Sequence, residues 1–198
     1  MDIPINAKVT CADGSYGRSV CVILNPVTEQ VTHVAVEAQE PVDVKRLVPA
    51  GLIRESTTDF IQLACTKADV ERLQVFSETE FLPAGPYGTS LMWPYALPEL
   101  MNLAIEHEHI PADELAIHRG SLVEAKDGHV GRVDEFLVEP VHFHITHLVM
   151  RHGHLWDPTE ITIPLGQIDR IEADTVHLKL TKHEVEALPR IPIRRRKN

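Results

Sequence analysis

The chain has 198 residues, 43% hydrophobic and 24% charged, and its 29 acids outnumber 19 lysines and arginines to give a net charge of −10. That composition is ordinary for a globular protein, and the acidic balance opposes direct nucleic-acid binding, which relies on Lys and Arg to neutralise phosphates. No stretch approaches the roughly 18 apolar residues that span a bilayer, and Met1-Asp2-Ile3-Pro4 lacks the basic and apolar runs of an export signal, so the expectation is a cytoplasmic protein.

In chain order, short β-branched runs separated by turn signals predict strands at Lys8 to Cys11, Gly17 to Leu24, Val31 to Glu37, Leu47-Val48, Leu52-Ile53 and Phe60 to Ala64. Asp13-Gly14 is a hairpin signal, because glycine tolerates the positive φ of a tight turn. Thr66 then caps a short helix in which Val70 and Leu73 share a face. These elements make a first unit, residues 1–76. Residues 77–116 follow as a connector rich in proline, with seven acids and no Lys or Arg. Met92, Trp93 and Tyr95 make it too apolar for a flexible linker. Two readings stand: an ordered strap lying across the rest of the chain, or an exposed aromatic patch that binds a protein partner. Pro98 at a first helical position predicts a short helix reaching Ile105.

Strands return in residues 117–193, at Ser121 to Ala125, Val130 to Glu139, Ile145 to Arg151, Ile161 to Ile163, Ile168 to Ile171 and Thr175 to Leu180. Thr181 caps a second short helix. Residues 194–198 are a basic tail that, with Arg190, could touch an anionic membrane surface or remain a solvated terminus.

The two units are the same sequence twice. Asp13-Gly14-Ser15-Tyr16-Gly17-Arg18 returns as Asp127-Gly128-His129-Val130-Gly131-Arg132. Pro26-Val27 returns as Pro140-Val141, Thr32-His33 as Thr146-His147, Pro49 as Pro164, and Thr66-Lys67 as Thr181-Lys182. A period this long marks a duplicated domain rather than a solenoid. Residues kept in both copies, among them Asp13, Gly14, Gly17, Pro49, Asp127, Gly128, Gly131 and Pro164, are the expected specifiers of the fold. Residues unique to one copy are the better functional candidates.

The ordered set of an Asp-Gly-x-x-Gly-Arg turn and strand, a Pro-Val turn, a Thr-His strand and a closing Thr-Lys-x-x-Val-Glu-x-Leu helix resembles the PRC-barrel family. The resemblance covers both copies and implies an all-β protein with short helices: two tandem small barrels joined by an ordered Pro-rich connector. The family includes the cytoplasmic barrel of the photosynthetic reaction-centre H subunit and the C-terminal domain of a small-subunit ribosome maturation factor. It implies a binding or assembly module without family-wide catalytic residues. The membrane helix of the first and the RNA-processing companion domain of the second are not expected here, so neither role is carried across.

Nine of twelve histidines fall from His118 onward. His142 and His144, with His152 and His154, flank one predicted strand, and imidazoles two apart on a strand share a face that could bind Zn²⁺. The alternative is a solvated turn, since Thr28 and Gln30 stand at the first pair's positions in copy one. Asp134-Glu135 replaces Val20-Cys21 of copy one, so the fold does not require these acids. Adjacent strand residues face opposite sides, which makes them a partner-binding or solvated edge rather than an acid/base pair. Cys11, Cys21 and Cys65 all lie in copy one. Three thiols suit a reduced protein with buried cysteines better than a disulfide framework; Cys11 and Cys21 flank a predicted turn, so their pairing is the lesser alternative.

No nucleophile stands in a recognisable catalytic setting and no phosphate loop follows a strand. The expected function is therefore a non-enzymatic protein-interaction or assembly module that needs no cofactor and self-associates as a homodimer. A ribosome-associated maturation factor acting through a ribosomal protein, and a histidine-based metal sensor, are the alternatives.

Overall fold

A computed structural model describes residues 1–40, 44–83, 102–152, 159–172 and 174–188. The protein is mostly β-sheet with two five-residue α-helices among the described residues. Copy one supplies β2 (Lys8–Cys11), β3 (Gly14–Asn25), β4 (Gln30–Ala38), β5 (Lys45–Pro49), β6 (Ile53–Ser56), β7 (Phe60–Leu63) and α1 (Lys67–Glu71), preceded by β1 (Asp2–Pro4). Copy two supplies β11 (Leu122–Ala125), β12 (Gly128–Val138), β13 (Ile145–His152), β14 (Thr159–Pro164), β15 (Ile168–Glu172), β16 (Thr175–Leu178) and α2 (Lys182–Glu186). Between them lie β8 (Val75–Pro83), β9 (Asn102–Glu108) and β10 (Leu115–His118).

Both copies build one six-strand order, β6-β7-β2-β3-β4-β5 and β15-β16-β11-β12-β13-β14, in which only β2·β7 and β11·β16 run parallel. The repeated residues explain this locally. Gly14 and Gly128 open β3 and β12 at φ of +132° and +121°, which L side chains rarely adopt. A Cβ on Gly17 would lie 1.7 Å from the Glu37 carbonyl oxygen, and one on Gly131 2.5 Å from that of Arg151. Asp13 and Asp127 each accept a hydrogen bond from the first helical amide, Lys67 N at 3.0 Å and Lys182 N at 2.8 Å. Thr66 with Asp69, and Thr181 with Glu184, close reciprocal capping boxes. Pro49 and Pro164, at φ of −57° and −59°, start matching one-turn 3-10 segments.

Two strands that local sequence does not signal leave their own copy. β1 pairs with β12 of copy two, placing Ile3 opposite Phe136, and β10 pairs with β3 of copy one, placing Ile117 opposite Val22. Ile3 and Ile117 are equivalent residues of the repeat, as are Phe136 and Val22, so the exchange is reciprocal. The turns beyond β3 and β12 also meet reciprocally: Val31 N donates to Phe143 O at 3.0 Å and Ile145 N to Glu29 O at 2.9 Å. Such mutual contacts define an approximate two-fold axis between the copies, the arrangement of an isologous dimer within one chain.

One hydrophobic cluster consequently contains Ile3, Val9, Val22 and Ile61 together with Ile117, Val123, Phe136 and Leu148, all at most 2% exposed. A smaller cluster on the other face of copy one's sheet joins Cys21, Ile23, Ala35 and Leu47 to Phe76 of β8 and Ala116 of β10. β8 and β9 form a hairpin that extends copy one's sheet past β5. Residues 102–105 are thus strand, not the C-terminal part of a helix begun at Pro98: pairing with β8 satisfies their backbone. The rest of that expected helix lies outside the described residues.

Candidate functional site

The turn between β3 and β4, and its counterpart between β12 and β13, carry Pro26-Val27 and Pro140-Val141 at their tips. Asn25 Oδ1 accepts from Val27 N at 2.9 Å and Thr28 N at 3.0 Å. Copy two does the same with a carboxylate: Glu139 accepts from Val141 N and His142 N, each at 2.8 Å. These amides, His142's first, hold the Glu139 carboxyl below its usual range. Each tip ends on a left-handed residue, Glu29 at φ 56° and Phe143 at φ 57°. The shape is fixed, yet Val27 is 85% exposed and Val141 71% exposed. Among the described residues only Ile110 joins them as an exposed large hydrophobic.

His142 and His144 belong to this tip. Left-handed Phe143 between them breaks the strand geometry that the metal reading required, and their ring centroids stand 6.3 Å apart at a tilt. His142 Nδ1 lies 3.3 Å from Glu139 and His144 Nε2 lies 3.3 Å from Gln30 Nε2 across the two-fold axis. His152 closes the far end of β13, eight residues or about 25 Å away in extended chain, with Nδ1 on the Val130 carbonyl oxygen. His154 lies outside the described residues, as do Met92, Trp93, Tyr95 and the basic tail. Among the described residues no three His, Cys, Asp or Glu side chains gather closely enough to hold a metal ion.

Asp134 and Glu135 are placed together, contrary to the alternation argument. The β12–β13 register shifts between Val133 and Glu135, leaving Asp134 as the extra residue of a bulge. Both acids then line one recess of about 220 Å³ with Pro4 to Ala7, Asp59, Arg119 and Arg151. Asp134 accepts from Arg119 Nε at 3.3 Å and from Arg151 Nη2. Glu135 is 4% exposed. The pair therefore faces a junction between the copies, not an outer solvated edge, and Asp134 is clamped between two guanidiniums.

A second polar junction joins Asp174, whose counterpart in copy one is Asp59, to residues that copy one does not share. His118, at the end of β10, directs Nε2 to Glu108 Oε1 at 2.9 Å and Nδ1 to Asp174 Oδ1 at 3.4 Å. Buried Ser121 contacts Asp174, donates to His118 O at 2.8 Å and accepts from His118 N at 3.0 Å. Its hydroxyl is engaged with backbone and carboxylate rather than the imidazole ring, so the group ties segments together instead of forming a nucleophile relay. The available signal was weak: His118 occupies the position of Pro4 in copy one.

The thiols also regroup. Cys21 sits buried against Phe76, whereas Cys11 lies in the larger cluster, against which Cys65 also packs. Cys11 and Cys21 stay apart because β3 carries Cys21 seven residues beyond the hairpin and into the other cluster. No protein-family model matches the chain, and no curated protein matches it.

Proposed function

We propose that the protein is a non-enzymatic, cytoplasmic protein-interaction module made of two PRC-type barrels and that it assembles by self-association. The observation that carries this reading is the pair of exposed valines. Val27 and Val141 are retained in both copies although the core uses neither. An exposed apolar residue is commonplace alone, but two copies that differ at many surface positions keep this one, on a turn stiffened by its own side-chain cap. The two-fold contact brings the turns together, so they present two like hooks to a partner. A second copy of the chain, carrying the same two-fold surface, offers a matching pair.

The test is light scattering after size exclusion, over a concentration series, on the wild type and on Val27→Asp/Val141→Asp. The wild type should show a concentration-dependent dimer. The variant should be monomeric with an unchanged melting temperature, because exposed substitutions cost within about 0.5 kcal/mol. A wild type that stays monomeric throughout, or a variant that dimerises equally well, refutes the reading.

A further inference from the structure

Cys11 ends β2 and Cys65 immediately precedes the cap of α1. β2 and β7 run side by side in parallel, with Thr10 opposite Gln62, and the alignment continues to Ala12 N, which donates to Cys65 O at 2.9 Å. Cys11 belongs to the buried core cluster and Cys65 packs against that cluster. Copy two keeps the backbone bond, Lys126 N to Leu180 O at 2.9 Å, but carries Ala125 and Leu180 at the two cysteine positions. The fold therefore needs no sulfur here. Cys21, the third thiol, is fully buried in the other cluster.

We propose that Cys11 and Cys65 are a dithiol modification site, oxidised to an intramolecular cystine by low-molecular-weight disulfides. Cys65 is the more exposed of the two and makes the first attack. Its thiolate displaces one thiolate from the disulfide, leaving a mixed disulfide on Cys65. Cys11 then gives up its proton and attacks Cys65 Sγ, releasing the second small thiol. Two protein thiols lose two electrons and two protons, and one small disulfide becomes two thiols. The cystine ties β2 to the start of α1 and encloses nearly all of copy one's strands in a covalent ring.

Burial pushes the Cys11 thiol up to about 11, with the neighbouring Cys65 and Asp13 adding to the rise and Lys67 opposing it. Burial raises Cys65 as well, with Asp69 and Asp13 adding and its hydrogen bonds opposing. Thiolate is scarce at neutral pH, so the site reacts slowly and selectively rather than as a general scavenger.

The experiment treats the full-length protein with oxidised glutathione at mildly alkaline pH, counts thiols and maps peptides by mass spectrometry. Titratable thiols should fall from three to the single Cys21, a Cys11–Cys65 peptide should appear, and the melting temperature should rise by about 10 °C, reversibly with dithiothreitol. Cys65→Leu and Cys11→Ala, which install copy two's residues, should each abolish the linked peptide. Persistence of all three thiols, a link through Cys21, or a glutathione adduct on Cys65 that Cys11 does not resolve overturns the proposal.

Discussion

Truncating Ile3 to alanine should destabilise copy two as much as copy one. Ile3 is fully buried and pairs with Phe136 on β12. The arm that carries it is held by Met1 N and O, which exchange hydrogen bonds with Val138 at 2.9 and 2.8 Å, and by Ser19 Oγ on Pro4 O at 2.8 Å. The substitution removes three carbons, worth about 2.4 kcal/mol of transfer free energy, and the cavity raises the cost to roughly 3–4 kcal/mol. Native-state hydrogen exchange with mass spectrometry reads the result. Core amides around Leu148 in copy two and Val34 in copy one should both exchange a few hundred-fold faster, since each 1.4 kcal/mol is a factor of ten. If faster exchange were confined to residues 1–6, β1 would be a detachable arm and the shared-core argument would fail.

Gly17→Ala should prevent stable folding, whereas Gly131→Ala should cost less, because the added Cβ meets backbone oxygen at 1.7 Å in one copy and 2.5 Å in the other; urea denaturation of both variants orders them. The two tips should differ in acid. Because the Glu139 carboxyl titrates below its usual 4.5, its support of the turn is complete above that value and is lost as pH falls through the lower folded value. Amide shifts of Val141 and His142 should therefore move in strong acid while those of Val27 and Thr28, capped by Asn25, stay still. Equal movement in both tips would contradict the capping account, and Glu139→Gln should abolish the titration.

Most strands within each copy were legible, because Asp-Gly turns, prolines and the Thr caps act over a few residues and the repeat states them twice. β1 and β10 were not. Asp2–Pro4 has three residues and no partner nearby in sequence, and only the assembled groove beside β12 makes it a strand. β8 and β9 were hidden by the proline-rich chain between them. Period-two alternation misplaced Asp134 because a bulge adds a residue without altering composition. Pro26-Val27 and Pro140-Val141 were visible as a repeat, but their exposure depends on where the turn projects. Cys65 escaped as a partner for Cys11 because the parallel β2–β7 pairing spans most of the copy.

The reciprocal arms also bear on the order of synthesis. Copy one has all six of its strands once Leu63 is made, yet the residues that complete its second cluster, Phe76 and Ala116, come later in the chain. A nascent chain therefore keeps Ile23, Ala35 and Leu47 uncovered until β10 emerges. Folding of the first half is tied to translation of the boundary of the second, and a chain that stalls between them presents a sticky sheet face to chaperones or to other stalled chains.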